Sequence, residues 1–372
     1  MSKNEAVPFN DLFRIHRPLL EEFRGGLTRL VENSSLVLGQ EVVLFEKELA
    51  LAEGCNFAIG VNNGTSAIEL VLRALDIGEG DEVITTAFTF VATCFSILQT
   101  GAIPVLVDID PLTGLMDTDK IEQAITPKTK ALVFVTLHGR VENLELIQNI
   151  CKLHNLRFVV DAAQSHLGTL KGKPQSAYCD AATLSFYPGK NLGALGEGGA
   201  VLTNSQEIND KLILMRDWGA PEKYNHTTWG GNFRLESLQA TFLRIKLREL
   251  GSWTFQRQET ARTYLQELNP NILMKSVDDN GSHVYHIYSI RIRNRDEFCD
   301  LLTQNQVGFG FHYPRAIHQQ PAYANKVLTP FTLSNSELLA SNTVSIPMFP
   351  GMTESETHKV IEVVNIGAKR MC

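Results

Sequence analysis

The chain lacks any apolar run near the ~18 residues that a bilayer-crossing helix needs. It has no Lys/Arg block, and its formal net charge is −7. An extended nucleic-acid or anionic-membrane surface is therefore not expected, although a local anion site is. Cysteines are few and scattered: Cys55, Cys94, Cys151, Cys179, Cys299 and Cys372 form no CxxC pair. That argues against a disulfide framework or a zinc site and predicts the reducing cytoplasm. The first residues, Met1-Ser2-Lys3-Asn4-Glu5-Ala6, lack the apolar core of a signal peptide. There is no HExxH metal motif and no GxSxG nucleophile elbow. No Walker A loop occurs, because Gly189-Lys190 is followed by Asn191. The run Gly193-Ala194-Leu195-Gly196-Glu197-Gly198 has the wrong glycine order for a dinucleotide loop, and it precedes a strand rather than a helix.

What is present is an ordinary globular mix, 44% hydrophobic and 20% charged, over 372 residues. That length suggests two domains, with a large one at 1–250 and a smaller one at 251–372. Strands are predicted at 57–61, 82–85, 103–108, 131–136, 157–161, 181–186 and 199–203. Several are continuous apolar runs, which suits strands buried on both faces of a mostly parallel sheet. Helical spacing marks 66–75 and 143–154 between them, the latter with Asn143 as its N-cap. The class is α/β, with ligands expected at the carboxyl ends of the strands. A long helix from Leu235 is expected to break at Gly251-Ser252-Trp253. Beyond it come a strand at 284–292, a helix at 295–304, a strand at 308–312 and a last helix at 354–367, giving a smaller α+β unit on which the N-terminal segment can pack.

Three segments carry chemistry. Gly64-Thr65-Ser66 opens a helix directly after a strand, where free N–H groups and hydroxyls suit a phosphate; simple helix capping is the alternative. Asp161 ends the apolar strand Phe158-Val159-Val160, where an ionised carboxylate needs a partner. A protonated ring nitrogen would supply one, and capping of the next helix or a magnesium ion are the alternatives. Lys190 lies between two strand ends among glycines and reads either as an amine facing a flat ligand or as a solvated loop lysine. Phe90 could stack on such a ligand or be plain core. Phosphate cradle, stacking ring, carboxylate and amine together describe a pyridoxal 5′-phosphate site.

Through these residues the chain resembles the fold-type I pyridoxal-phosphate aminotransferases of nucleotide-sugar biosynthesis, the DegT/DnrJ/StrS family. The likeness runs from Val37-Leu38-Gly39-Gln40 through Asp161-Ala162-Ala163-Gln164 and Ser185–Gly199 to Gly231-Asn232-Phe233-Arg234 and His312-Tyr313-Pro314. The block around Lys190, Phe186-Tyr187-Pro188-Gly189-Lys190-Asn191-Leu192-Gly193, looks most like members that aminate C3 of dTDP-3-keto-6-deoxyhexoses. The resemblance implies a mostly parallel seven-stranded sheet with a smaller C-terminal domain. It implies that Lys190 holds the cofactor aldehyde, Asp161 its ring nitrogen, and Gln164 lies near its ring hydroxyl. Phe90 would stack on the ring. Gly64, Thr65, Ser66 and Ser185 would hold the phosphate, with Asn232 reaching it from the neighbouring subunit of a homodimer. Tyr187, His312 and Tyr313 would shape the sugar pocket.

The implied reaction moves an amino group from L-glutamate to a nucleotide-linked keto-sugar in deoxysugar biosynthesis. Two stretches depart from the family pattern, Leu137-His138-Gly139-Arg140 and Ser165-His166-Leu167-Gly168. They bear on which sugar is used. A 4-keto sugar, a dehydratase reaction on the same cofactor, and a non-catalytic sugar-nucleotide-binding regulator are the rival expectations.

Overall fold

The computed structural model describes residues 6–278 and 280–371; Cys372 and the segment 1–5 lie outside them. Seven strands form one sheet: β1 (Phe57–Val61), β2 (Glu82–Thr86), β3 (Ile103–Val107), β4 (Thr129–Val135), β5 (Arg157–Asp161), β6 (Ala181–Ser185) and β7 (Gly199–Thr203). Their order is β1-β7-β6-β5-β4-β2-β3. Six strands run in one direction, and β7 alone runs against them, between β6 and β1.

The continuous apolar runs are explained by burial on both faces. Leu132, Phe134, Val160, Ala182 and Leu184 point into one apolar cluster with Phe45 and Leu49 of helix Gln40–Ala52 and Leu243 of helix Ser237–Leu247. Their chain neighbours Ala131, Val133, Val159 and Ala181 point into another, with Leu70 and Val71 of helix Gly64–Ala74 and Leu212 of helix Gln206–Met215. Alternate side chains of one strand thus face opposite helix layers.

A separate apolar cluster gathers Val7 with residues from Ala261 to Ala368. It surrounds a two-stranded antiparallel pair, β8 (Tyr288–Arg291) and β9 (Thr343–Ile346). Val7 also bridges Val307, whereas Leu19 and Phe23 pack with Phe242, Ile245 and Trp253. We propose the partition at 250/251 because the cluster around β8 and β9, Val7 apart, draws only on residues beyond 250.

Three local expectations change. Gly251-Ser252-Trp253 does not break a helix: one helix ends at Leu247, the next begins at Leu250, and all three residues lie inside it. Gly251 costs little in a first turn, where N–H groups are unpaired anyway. Trp253 is buried against Phe23, Phe242 and Ile245. The 308–312 segment makes the bridge Gly310–Ser345 but no strand. Asn143 stands at the N-cap of helix Leu144–Leu153, but in a left-handed conformation with no side-chain cap.

Among the described residues, no helix is long and apolar enough to cross a membrane, and no group of three or more His, Cys, Asp or Glu is placed to hold a metal ion. The five described cysteines are unpaired.

Candidate active site

The sheet register brings three distant segments to one edge. Val61 pairs with Gly199, and Gly199 with Ser185. A methyl group on Gly64 would lie 2.7 Å from the Ser185 Cβ, and one on Gly199 would lie 2.4 Å from the Asn63 carbonyl carbon. Only glycine lets the β1–helix turn settle on the ends of β6 and β7. Helix Gly64–Ala74 is capped by Asn63, whose Oδ1 accepts the Ser66 N–H at 2.8 Å. The amides ahead of it, at Gly64 and Thr65, are those a helix end leaves for an anion.

Asp161 ends β5 on the same edge and is buried. It accepts the Thr93 hydroxyl at 2.8 Å and the Ala163 N–H at 3.2 Å. Burial nevertheless pushes its pKa up, outweighing both bonds and the nearby Lys190. This is a carboxylate short of a cationic partner. It caps no following helix, and no second acid joins it in lining the cleft wall near the sheet except the exposed Glu197.

Lys190 follows β6 in a turn closed by its own N–H to the Tyr187 carbonyl, 2.8 Å. Burial pulls its pKa down to about 8, against the opposing pull of Asp161. At pH 7 about a tenth of such an amine is neutral, against fewer than about one in a thousand for an ordinary lysine.

These groups line a cleft of about 870 Å³. Phe90 is 53% exposed although its neighbour Thr89 is buried, so its ring is presented to the cleft rather than to the core. It lies 5.5 Å from the Tyr313 ring. Gln164 donates to the Tyr313 hydroxyl at 3.0 Å and accepts the His138 N–H at 2.5 Å. The His138 ring in turn meets the His312 carbonyl at 2.9 Å. The unusual Leu137-His138-Gly139-Arg140 stretch therefore supports the His312-Tyr313 wall.

Of the residues singled out from sequence, Gly64, Thr65, Phe90, Asp161, Gln164, Ser185, Tyr187, Lys190, His312 and Tyr313 line this one cleft. Ser66 is buried behind it. Asn232 is exposed, bridges Asp217 and does not line the cleft of its own chain.

Several lining residues carried no sequence signal. Phe9 stacks on His312 at 5.7 Å. Arg257 is buried, with Nη1 donating to the Met348 carbonyl at 2.7 Å and the Tyr285 carbonyl at 3.1 Å. His286, held uncharged by burial, meets Asn191 Oδ1 at 3.2 Å. Thr93, in the first turn of helix Val91–Gln99, meets the hydroxyl of Thr89, which lies just ahead of that helix, at 3.1 Å.

A model of the DegT/DnrJ/EryC1/StrS aminotransferase family matches residues 19–365. A dTDP-3-amino-3,6-dideoxy-alpha-D-galactopyranose transaminase from Aneurinibacillus thermoaerophilus is 40% identical, covering 96% of this chain and 99% of its own. A protein from Geobacillus stearothermophilus named "Pleiotropic regulatory protein" is 38% identical, with 96% and 97% covered. Among solved structures, S. venezuelae DesV in complex with a ketimine intermediate superimposes with a TM-score of 0.96 at 36% identity, covering 99% of this chain and 100% of that one.

Proposed function

The chain belongs to the DegT/DnrJ/EryC1/StrS aminotransferase family, and from that premise we propose that it moves an amino group from L-glutamate to a dTDP-3-keto-6-deoxyhexose, giving a 3-amino-3,6-dideoxyhexose. That it is a pyridoxal-phosphate-dependent nucleotide-sugar aminotransferase follows from the family and its relatives. The observation that supports amino-group transfer in this cleft is the placement of Asp161 and Lys190 together, a carboxylate lacking a cation and an amine lacking full charge. The dTDP-3-amino-sugar product named for the Aneurinibacillus relative supports the substrate.

The cleft fits the cofactor. Asp161, raised by burial, gains the cation it lacks from a protonated ring nitrogen. The free amides at Gly64 and Thr65 and the Ser185 hydroxyl offer a phosphate seat, and the exposed face of Phe90 offers a stacking surface. When bound, pyridoxal phosphate supplies an electron sink and an aldehyde that carries the amino group between substrates.

The protein's own residues do the rest. Lys190 Nζ, partly neutral near pH 7, takes the proton from the donor Cα and hands a proton back when the sugar is aminated. Thr93 and the Ala163 N–H hold the Asp161 oxygens in place. Gln164 holds Tyr313 against Phe90. His312 and Tyr187 face the space left for the sugar. Glutamate becomes 2-oxoglutarate and the ketone becomes an amine, with no net redox change across the pair.

Asn232, outside its own cleft, is assigned to the cleft of a second copy in a homodimer. A cytoplasmic location belongs to the same proposal and rests on the dispersed cysteines.

The experiment loads the enzyme with pyridoxamine phosphate and offers 3-keto and 4-keto nucleotide sugars. Return of the aldehyde-form spectrum with the dTDP-3-keto sugar supports the reading, and return only with a 4-keto or UDP-linked sugar replaces it. The regulatory name of the Geobacillus relative favours one rival, sugar-nucleotide binding without turnover. That rival requires no spectral return with any sugar.

A further inference from the structure

Lys190 is not the only lysine that burial strips of water. Lys246, on helix Ser237–Leu247, is wholly buried. Among the described residues it pairs with no carboxylate. Its Nζ donates instead to the Gly193 carbonyl and, at 2.9 Å, to His16 Nε2. An ammonium without a counter-ion is costly to bury, and an apolar side chain of similar volume would pack there more cheaply. Stability alone therefore does not explain a lysine at this place. What distinguishes the site is the acceptor, a main-chain carbonyl three residues beyond Lys190.

The Lys190 loop is closed at its base by the Ala194 N–H on the Phe186 carbonyl, 2.8 Å. It doubles back so tightly that a methyl on Gly193 would lie 2.2 Å from the Pro188 carbonyl oxygen. One flank is pinned by Asn191, whose Nδ2 donates to the Val284 carbonyl at 3.1 Å and whose Oδ1 meets His286. The other flank has Lys246. His16 is held uncharged by burial and by the neighbouring ammonium, its pKa brought to about 4, so its free ring nitrogen can accept from Lys246. The N-terminal helix Leu12–His16 thus touches helix Ser237–Leu247 at the one side chain that reaches the loop carbonyl.

We propose that Lys246 is a positioning residue for Lys190: by holding the Gly193 carbonyl it fixes the turn from which the Lys190 amine enters the cleft, and His16 orients Lys246 by accepting its second hydrogen bond. This rests on the reading of Lys190 as the reactive amine. A turn displaced by about an ångström is enough to cost on the order of a hundredfold in rate when the reacting groups must be aligned.

The test compares the wild type with Lys246→Met and Lys246→Arg. The first readout is amide hydrogen exchange of the cofactor-free protein, which does not depend on activity. In Lys246→Met, the amides of Lys190 and Ala194 should exchange about tenfold faster or more, while helix Ser237–Leu247 keeps its protection. In the loaded enzyme, kcat should fall by about tenfold or more with both KM values within about threefold, and Lys246→Arg should restore part of it. Wild-type exchange at residues 187–195, or an increase spread evenly through helix Ser237–Leu247 with kcat unchanged, overturns the proposal and leaves Lys246 a structural group.

Should Lys246→Met fail to fold, His16→Leu replaces it, since Gly193 then keeps its donor. Faster exchange at 187–195 supports the proposal, and unchanged exchange overturns it. The reading of the site itself is tested separately: turnover surviving Lys190→Ala defeats that reading, whatever the loop exchange shows.

Discussion

On the sheet side of the cleft, a single methyl at Gly64 or Gly199 would come within 2.7 Å of its neighbours; on the facing side Gly308 is as tight, 2.3 Å from the Phe9 nitrogen, but at Gly310, next to the lining residue His312, the nearest atom is a side-chain one 3.1 Å away in the His312 ring. The first wall is set by strand register and backbone contact. The second is hung from individual hydrogen bonds, such as Arg257 to the Met348 carbonyl and His138 to the His312 carbonyl. Backbone contact leaves little freedom, because close-packed atoms transmit any shift to the strands behind. Side-chain bonds to carbonyls can lengthen and re-form. On the proposed reading, the rigid wall serves the group present in every cycle, and the adjustable wall serves ligands that come and go.

The comparison can be broken at several points. The largest effect is expected from Lys190→Ala, which should lower kcat by about a thousandfold or more while the melting temperature holds or rises, because a buried amine has been removed. Steady-state turnover within about tenfold of wild type would end the assignment of the rigid wall to chemistry. Next comes Asp161→Asn, expected to lower kcat by roughly a hundredfold, since an amide cannot balance a cationic ring nitrogen. Cofactor retention on a desalting column should fall with it. An unchanged kcat would return Asp161 to a structural role.

Gly199→Ala probes rigidity directly. Its methyl meets backbone rather than a flexible side chain, so denaturant melts should show a loss of about 1–3 kcal/mol. A loss no greater than an ordinary surface change would mean that this wall yields after all.

The facing wall should respond to acid. Burial holds His138 down at about 4 and His312 at about 3, with His286 well below its ordinary value; His166, behind β6, is also near 3. Each folded pKa lies below the unfolded value near 6.5. The stability these groups contribute is therefore complete above pH 6.5 and is lost as the pH falls toward 4 and 3, because the unfolded chain takes up protons that the folded chain refuses. Urea midpoints should fall from pH 7 to pH 5, with these four groups giving uptake approaching four protons on unfolding and the likewise depressed His16 and His283 adding to it, and a flat profile would contradict this. The smallest effect is expected from Phe9→Ala, which removes the ring stacked on His312. It should raise the sugar KM by about threefold to tenfold and leave kcat nearly unchanged.

Much of this was legible in the sequence, for identifiable reasons. All seven sheet strands were placed from the sequence, several because burial on both faces writes a continuous apolar run, as in Phe158-Val159-Val160. Asp161 and Gly64-Thr65-Ser66 stood out because polar or small residues interrupt such runs at the strand ends. The facing wall was far less visible. Its contacts fall on main-chain carbonyls, as for Arg257, and any residue supplies a carbonyl. The break misread at Gly251 shows the same limit: propensity marked the residue, but the burial of Trp253 decided where the helix runs. The strand expected over 308–312 does not form: its backbone makes isolated contacts, the Gly308 N–H to the Val7 carbonyl at 2.8 Å and the bridge Gly310–Ser345.

The Val61–Gly199–Ser185 register also has a consequence for folding. β7 inserts antiparallel between strands that lie more than a hundred residues apart in the chain, so the anion seat proposed at Gly64 cannot form from local structure. It comes into being only when β1, β6 and β7 have all found one another, a slow event for pairings this distant. Cofactor capture by a refolding chain therefore times the closure of the sheet.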